Sequence, residues 1–211
     1  MENVMNYIKT MISAVLAGIC IGIGGVVFLS LDDKLAGSFF FTTGLFVICS
    51  MGFHLFTGKV CYVLKNDMAY ALGLPVIWIG NLIGTSLVAK LVSFTRISGI
   101  AVKAAALCET KLSDRLISLF ILGIFCNMLI YIAVEGYGNI PHETGKYLAL
   151  FFGVMVFILC GYEHCVADMF YFSVADMWSS GALVRLLVIT LGNVVGGVVF
   201  PICRACMAKI K

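Results

Sequence analysis

The stretch Gly161-Tyr162-Glu163-His164-Cys165-Val166-Ala167-Asp168-Met169 lies inside an apolar run covering residues 147–177. About twenty residues carry a helix across the hydrocarbon core of a bilayer. A run of 31 is therefore too long for one simple span, and this one holds two acids and a histidine near its middle. A second run, 37–64, has 28 residues and a comparable interruption, Gly52-Phe53-His54-Leu55-Phe56-Thr57-Gly58-Lys59. Long apolar segments with polar residues at mid-run are the expected form of discontinuous membrane helices. Two such segments in one short chain decide the fold.

Four further apolar runs, 11–31, 69–92, 114–134 and 182–203, bring the number to six. Their apolar stretches are continuous, whereas a β-barrel strand alternates in polarity over about ten residues. The composition agrees, with 62% hydrophobic and 12% charged residues and a mean hydropathy of +1.08. Soluble domains carry about 25% charged residues, so a cytosolic enzyme and a disordered chain are excluded. The net charge of +3 is small and scattered, which leaves no footprint for nucleic acid. The first run follows the sparsely charged MENVMNYIKT, lacks a small-residue cleavage site and exceeds a signal-peptide core. It reads as the first span.

Spacing adds a repeat. Gly44 and Gly52 recur as Gly153 and Gly161 at an offset of 109, and Gly80-Asn81-Leu82-Ile83-Gly84 recurs as Gly192-Asn193-Val194-Val195-Gly196 at 112. Lys9 and Lys111, 102 apart, stand near the entrances of runs one and four. The chain thus reads as one transmembrane domain, 1–211. It consists of one repeat over about 9–92, an interfacial helix over about 93–110 and a second repeat over about 111–203. Three spans per repeat is an odd number, so the second copy is inverted in the membrane. The predicted architecture is all-α, with six transmembrane helices as two inverted three-helix repeats and helices 2 and 5 broken. Inverted repeats with paired broken helices place a passage between the halves. With both termini inside, seven basic residues fall on each side, so the positive-inside rule gives no orientation.

Ionisable side chains inside spans are costly and usually functional. His164 leads the candidates. It is either a buried neutral histidine serving packing or a group that bonds, or passes a proton to, a small weak-acid anion. Glu163 and Asp168 read as structural, with Glu163 accepting hydrogen bonds from backbone N–H groups freed by the break. Gly52 and Gly161 mark the two breaks. His54 and Thr57 occupy the first of them, where the Thr57 hydroxyl can bond an anion or a water. Leu55, Phe56 and Phe157 are either core or a pair of apolar constrictions that exclude hydrated ions. Lys9 and Lys111 are either interfacial anchors or a cation at each mouth, concentrating anions. The nine cysteines lie mostly in apolar runs and behave there as small hydrophobes. Cys203 and Cys206 have CxxC spacing without a second pair, so no metal and no cofactor are expected.

These stretches resemble the formate/nitrite transporter family over essentially the whole chain. The segment-two motif stands as Gly52 to Gly58, the segment-four motif as Gly123-Ile124-Phe125-Cys126-Asn127 and the segment-five motif as Gly161 to Met169. The resemblance implies a homopentamer of aquaporin-like protomers, one pore each, in the cell's inner (plasma) membrane with both termini cytoplasmic. It implies passage of small monovalent anions such as formate, nitrite or hydrosulfide. It assigns the central histidine to His164, the slit threonine to Thr57, the segment-four asparagine to Asn127 and the basic vestibule residue to Lys111. The constriction residues fall on Leu55, Phe56 and Phe157. The chain departs from the family pattern at His54, where an acid is usual, and at Phe53, Lys59, Tyr131 and Asp168. The bilayer and small anions are thus the expected partners, and no enzymatic activity is expected. The alternative is a pore for small neutral solutes such as water, ammonia or hydrogen sulfide, which shares the architecture and the apolar constrictions.

Overall fold

The computed structural model describes residues 2–210, with side chains from residue 6 onward. Among the described residues the chain is helical, with no strand. The elements are α1 (Glu2–Ser30), α2 (Lys34–Met51), α3 (Phe56–Val60), a 3₁₀ turn (Val63–Lys65), α4 (Met68–Ser93), α5 (Ile100–Ser113), α6 (Leu116–Asn139), α7 (Glu143–Leu159), α8 (Cys165–Val174) and α9 (Ser180–Met207). Five segments are long and apolar enough to cross a membrane: Asn6–Ser30, Lys34–Met51, Met68–Ser93, Leu116–Asn139 and Ser180–Met207. Large apolar side chains such as Phe40, Ile83, Leu91, Ile117 and Leu191 are exposed on these helices. In water such a surface would aggregate; in lipid it is the solvent-facing side.

Both long apolar runs are broken, and in the same way. α2 stops at Gly52, whose φ of 71° is left-handed, and α7 gives way at Gly161, with φ 68°. The amide of Phe53 bonds back to the Ile48 carbonyl, and that of Tyr162 to the Phe157 carbonyl. These are the bonds of a glycine-terminated helix end. The chain then crosses a short extended stretch and re-enters a helix, at α3 in the first half and at α8 in the second.

Two asparagines hold these breaks, and they fix the register between halves. Asn81 Oδ1 accepts from Phe56 N (2.8 Å), while its Nδ2 donates to Ala14 O (2.7 Å) and His54 O (3.0 Å). Asn193 Oδ1 accepts from Cys165 N (2.9 Å), while its Nδ2 donates to Gly123 O (2.8 Å) and Glu163 O (2.8 Å). Every partner of Asn193 lies 109 residues after the matching partner of Asn81. The glycines beside them let helices touch. A Cβ on Gly84 would stand 2.1 Å from Val15 O, and one on Gly196 2.1 Å from Ile124 O. Close backbone approach through small residues is how membrane helices pack without a hydrophobic driving force.

That register departs from one expectation. At an offset of 109, Lys9 in α1 corresponds to Ser118 in α6, not to Lys111. Lys111 belongs to α5, which runs to Ser113 rather than ending near residue 110. Ile100, Ala104, Cys108 and Lys111 form the buried stripe of α5, which packs on α8. In chain order α5 lies between the helices α4 and α6, and besides α8 it touches α1 and α9.

Candidate functional site

The half-helices meet at the centre, each packed against the other repeat: α3 on α9 and α6, α8 on α4 and α1. His164 is the N-cap of α8, and its Nδ1 accepts from Ala167 N at 3.1 Å. A neutral imidazole that accepts at Nδ1 carries its proton on Nε2. That Nε2 lies 2.8 Å from Thr57 Oγ1 and so donates to it. No described group then accepts the hydroxyl hydrogen of Thr57. Both side chains are buried, His164 at 2% and Thr57 at 0% exposure. Phe157 stacks on the imidazole at 5.5 Å and 16°, and Phe41 meets Phe157 edge-on at 6.2 Å and 89°. A donor pair walled by aromatic rings occupies the middle of the molecule.

A chamber lies on either side. One, about 340 Å³, is lined by Leu45, Leu55, Lys59, Tyr62, Val134 and Tyr137 among others. The second, about 160 Å³, is lined by Phe157, His164, Lys111, Glu163, Asp168 and Tyr171 among others. Leu55 therefore borders one chamber and Phe157 the other. Phe56 is buried, with its amide on Asn81, and borders neither. Phe41 and Leu45, both almost fully buried, were not singled out from the sequence. Apolar residues within an apolar helix carry no signal of which face borders a cavity. The clamp role of Asn81 and Asn193 was also missed, although their recurrence in both halves is the signal that finds them.

Lys111 is not a free cation. Its Nζ donates to Glu163 Oε2 and lies 2.9 Å from Asp168 Oδ1, under the Tyr171 ring at 6.0 Å. The lysine is only 9% exposed, and Asp168 Oδ2 is buried without a partner. Glu163 accordingly does not take up the freed backbone donors, as the sequence reading expected. Asn193 accepts from Cys165 N and the His164 ring from Ala167 N, while the Glu163 carboxylate meets the lysine. Asn127 stands behind the centre, where its Nδ2 donates to Thr57 O (3.1 Å) and Asn193 O (2.7 Å). It ties the two half-helices together. Lys9 is exposed on α1. His54 faces neither flanking chamber and lines a third cavity. Cys203 and Cys206 are exposed on the last turns of α9.

Fold and site together define a multi-pass helical membrane protein, built as two matching halves that meet at the buried His164–Thr57 pair. The chain belongs to the formate/nitrite transporter family, whose pattern matches residues 2–207. Over 217 aligned residues it is 30% identical to the nitrite transporter NirC of Salmonella typhimurium, covering 90% of this chain and 79% of that one. It is 24% identical to the formate channel FocA of Haemophilus influenzae, covering 89% and 82%. The fold superposes on a pentameric formate channel with formate bound at a TM-score of 0.86, with 26% identity and coverage of 98% and 99%. An FNT family ion channel superposes at 0.84, with 26% identity and coverage of 98% and 92%.

Proposed function

We propose that this chain is a channel for small monovalent weak-acid anions, with formate, nitrite and hydrosulfide as the class. It works as a homopentamer with one path per protomer, in the cell's inner membrane with both termini cytoplasmic. The observation that carries this reading is the buried His164–Thr57 pair between two chambers. An ion leaving water for an apolar constriction meets a large desolvation penalty, while the neutral acid does not. The Thr57 hydroxyl, whose hydrogen stays free while its oxygen accepts from His164 Nε2–H, can donate to an anion and offset part of that penalty without fixing a charge there. Family membership and the names of the matched relatives support the substrate class.

The geometry also favours one role for His164 over another. A relay through the ring needs Nδ1 to take up a proton as Nε2 gives one away. Here Nδ1 faces a backbone N–H, and a proton placed on it would point donor at donor. His164 thus acts as a fixed hydrogen-bond donor, and the proton that travels with the anion comes from solvent.

Liposome flux of formate, nitrite, hydrosulfide, acetate and chloride, measured beside water and ammonia permeability, tests the reading. Selective movement of the weak acids is expected; water or ammonia flux alone would make this a neutral-solute pore. His164→Asn tests the role. Asn replaces Nδ1 with another good capping oxygen and keeps a donor for Thr57, so formate flux should remain within about threefold of wild type. His164→Phe loses cap and donor and should lower flux by roughly 100-fold, on the scale of one lost preorganised donor. Abolished flux in His164→Asn would restore the relay.

A further inference from the structure

The third cavity, about 790 Å³, lies on the far side of the 52–55 loop. His54, Lys59, Lys65, Asn6, Thr10 and Tyr70 are among its lining residues. The clamp register explains what is unusual here. At an offset of 109, His54 corresponds to Glu163 and Lys59 to Asp168. The second half thus carries two acids at the positions where the first half carries two bases. The acids have a counter-ion, Lys111, supplied by α5. Among the described residues no carboxylate lies within ion-pair distance of Lys59.

The other charges around the cavity are engaged. Asp67, the one acid among the described lining residues, caps α4 by accepting from Tyr70 N at 2.9 Å. Lys65 lies over the Tyr62 ring at 5.6 Å. Tyr70 donates to Lys59 O at 2.8 Å, which fixes the end of α3 beneath the lysine side chain. The backbone of His54 is held through Ser13 (3.0 Å) and Asn81 (3.0 Å), while its Nδ1 is buried without any partner. Lys59 is thus a half-buried ammonium in a polar cavity that the His54 ring also borders, and among the described residues it has no counter-ion. Buried charges are otherwise paired.

We propose that this cavity is a second anion site, in which a small monovalent anion completes the pair with Lys59 and bonds the His54 ring. Lys59 also lines the chamber beside Leu55, so the bound anion adjoins the central path through a shared side chain. That coupling rests on the channel reading. The binding itself does not.

Bromide is the probe, located by anomalous diffraction from crystals of the full-length protein soaked in sodium bromide. A peak is expected in the cavity between Lys59 and His54. Lys59→Gln should weaken binding about tenfold or more, the scale of one charge-assisted hydrogen bond. Lys59→Arg should restore it. His54→Phe, which leaves the lysine in place, should weaken it less and serves if Lys59→Gln fails to fold. No peak in the wild-type cavity, or a peak unchanged in these variants, overturns the site. Absence of flux in the liposome panel would overturn the channel reading and leave a bromide peak standing.

Discussion

Between Gly52 and Lys59 the first half carries His54 and Lys59; at the same register the second half carries Glu163 and Asp168. Both breaks begin at a left-handed glycine, and both are held by an asparagine that accepts one freed amide and donates to two carbonyls. The asparagine clamp is thus the same in both breaks while side-chain charge is inverted. In hydrocarbon every freed N–H and C=O must find an internal partner, so the clamp tolerates no divergence between copies. Charge answers to whatever packs alongside. Helix α5 brings Lys111 to the two acids of the second break, while among the described residues no acid is brought to Lys59 of the first, which lines a cavity.

The largest effect should come from breaking what the halves share. Asn193→Ala orphans Cys165 N and strips the clamp from Gly123 O and Glu163 O, at about 1–3 kcal/mol for each buried group left unpaired. Asn81→Ala does the same to Phe56 N, Ala14 O and His54 O. Both variants should lose most of the monodisperse protein recovered in detergent, and whatever survives should melt far below wild type. A pair differing greatly in Tm would mean that one break is held by something besides its clamp.

How much of this the sequence disclosed follows the same division. Glycine and asparagine spacing gave the repeat, because groups that must satisfy backbone recur at a fixed register in both copies. The pairing of Lys9 with Lys111 failed for the converse reason. Both lysines stand early in their halves, yet one is on α1 and the other on α5, the helix before α6, which is the one that matches α1. The Lys111 cluster is non-local, reaching 52 residues along the chain to Glu163, and one sequence carries no mark of such a contact. Phe41 and Leu45 stayed hidden because the hydroxyl residues of α2, Ser38, Thr42, Thr43 and Ser50, are spread around the helix, so no periodicity marks which apolar residues pack on Phe157 or border a chamber.

The next effect concerns what the halves do not share. Lys111→Gln leaves two buried carboxylates facing each other, and breaking a buried ion pair costs about 3–5 kcal/mol. Glu163→Gln leaves Lys111 and Asp168 as a one-to-one pair and should cost less. The triple variant Lys111→Gln, Glu163→Gln, Asp168→Asn carries no charge and should recover most of the Tm lost in Lys111→Gln, as uncharged replacements of buried ion pairs often do. Thermal unfolding in detergent orders the three. A Lys111→Gln protein as stable as wild type would mean the lysine is a mouth cation after all, and not the counter-ion of α8.

The smallest effect is the most telling about function. With both carboxylates ionised, Lys111, Glu163 and Asp168 sum to one negative charge beside the chamber that an anion must enter. The Asp168 oxygen without a partner faces no compensating donor. Asp168→Asn brings that sum to zero while keeping an oxygen for Lys111. Stability should change by less than about 1 kcal/mol, since one member of the pair remains. Flux should rise. Like charges in a low-dielectric mouth lower the local concentration of the permeant ion, so formate uptake should increase about two- to fivefold at 10 mM salt, where the screening length is about 30 Å. At 1 M salt, with screening within about 3 Å, the gain should vanish. A gain that persists at high salt would point to altered geometry around His164 instead of charge. No gain at either salt would mean that the acidic triad is already neutral when the anion arrives, and the inverted charges of the two breaks would then be a matter of packing alone.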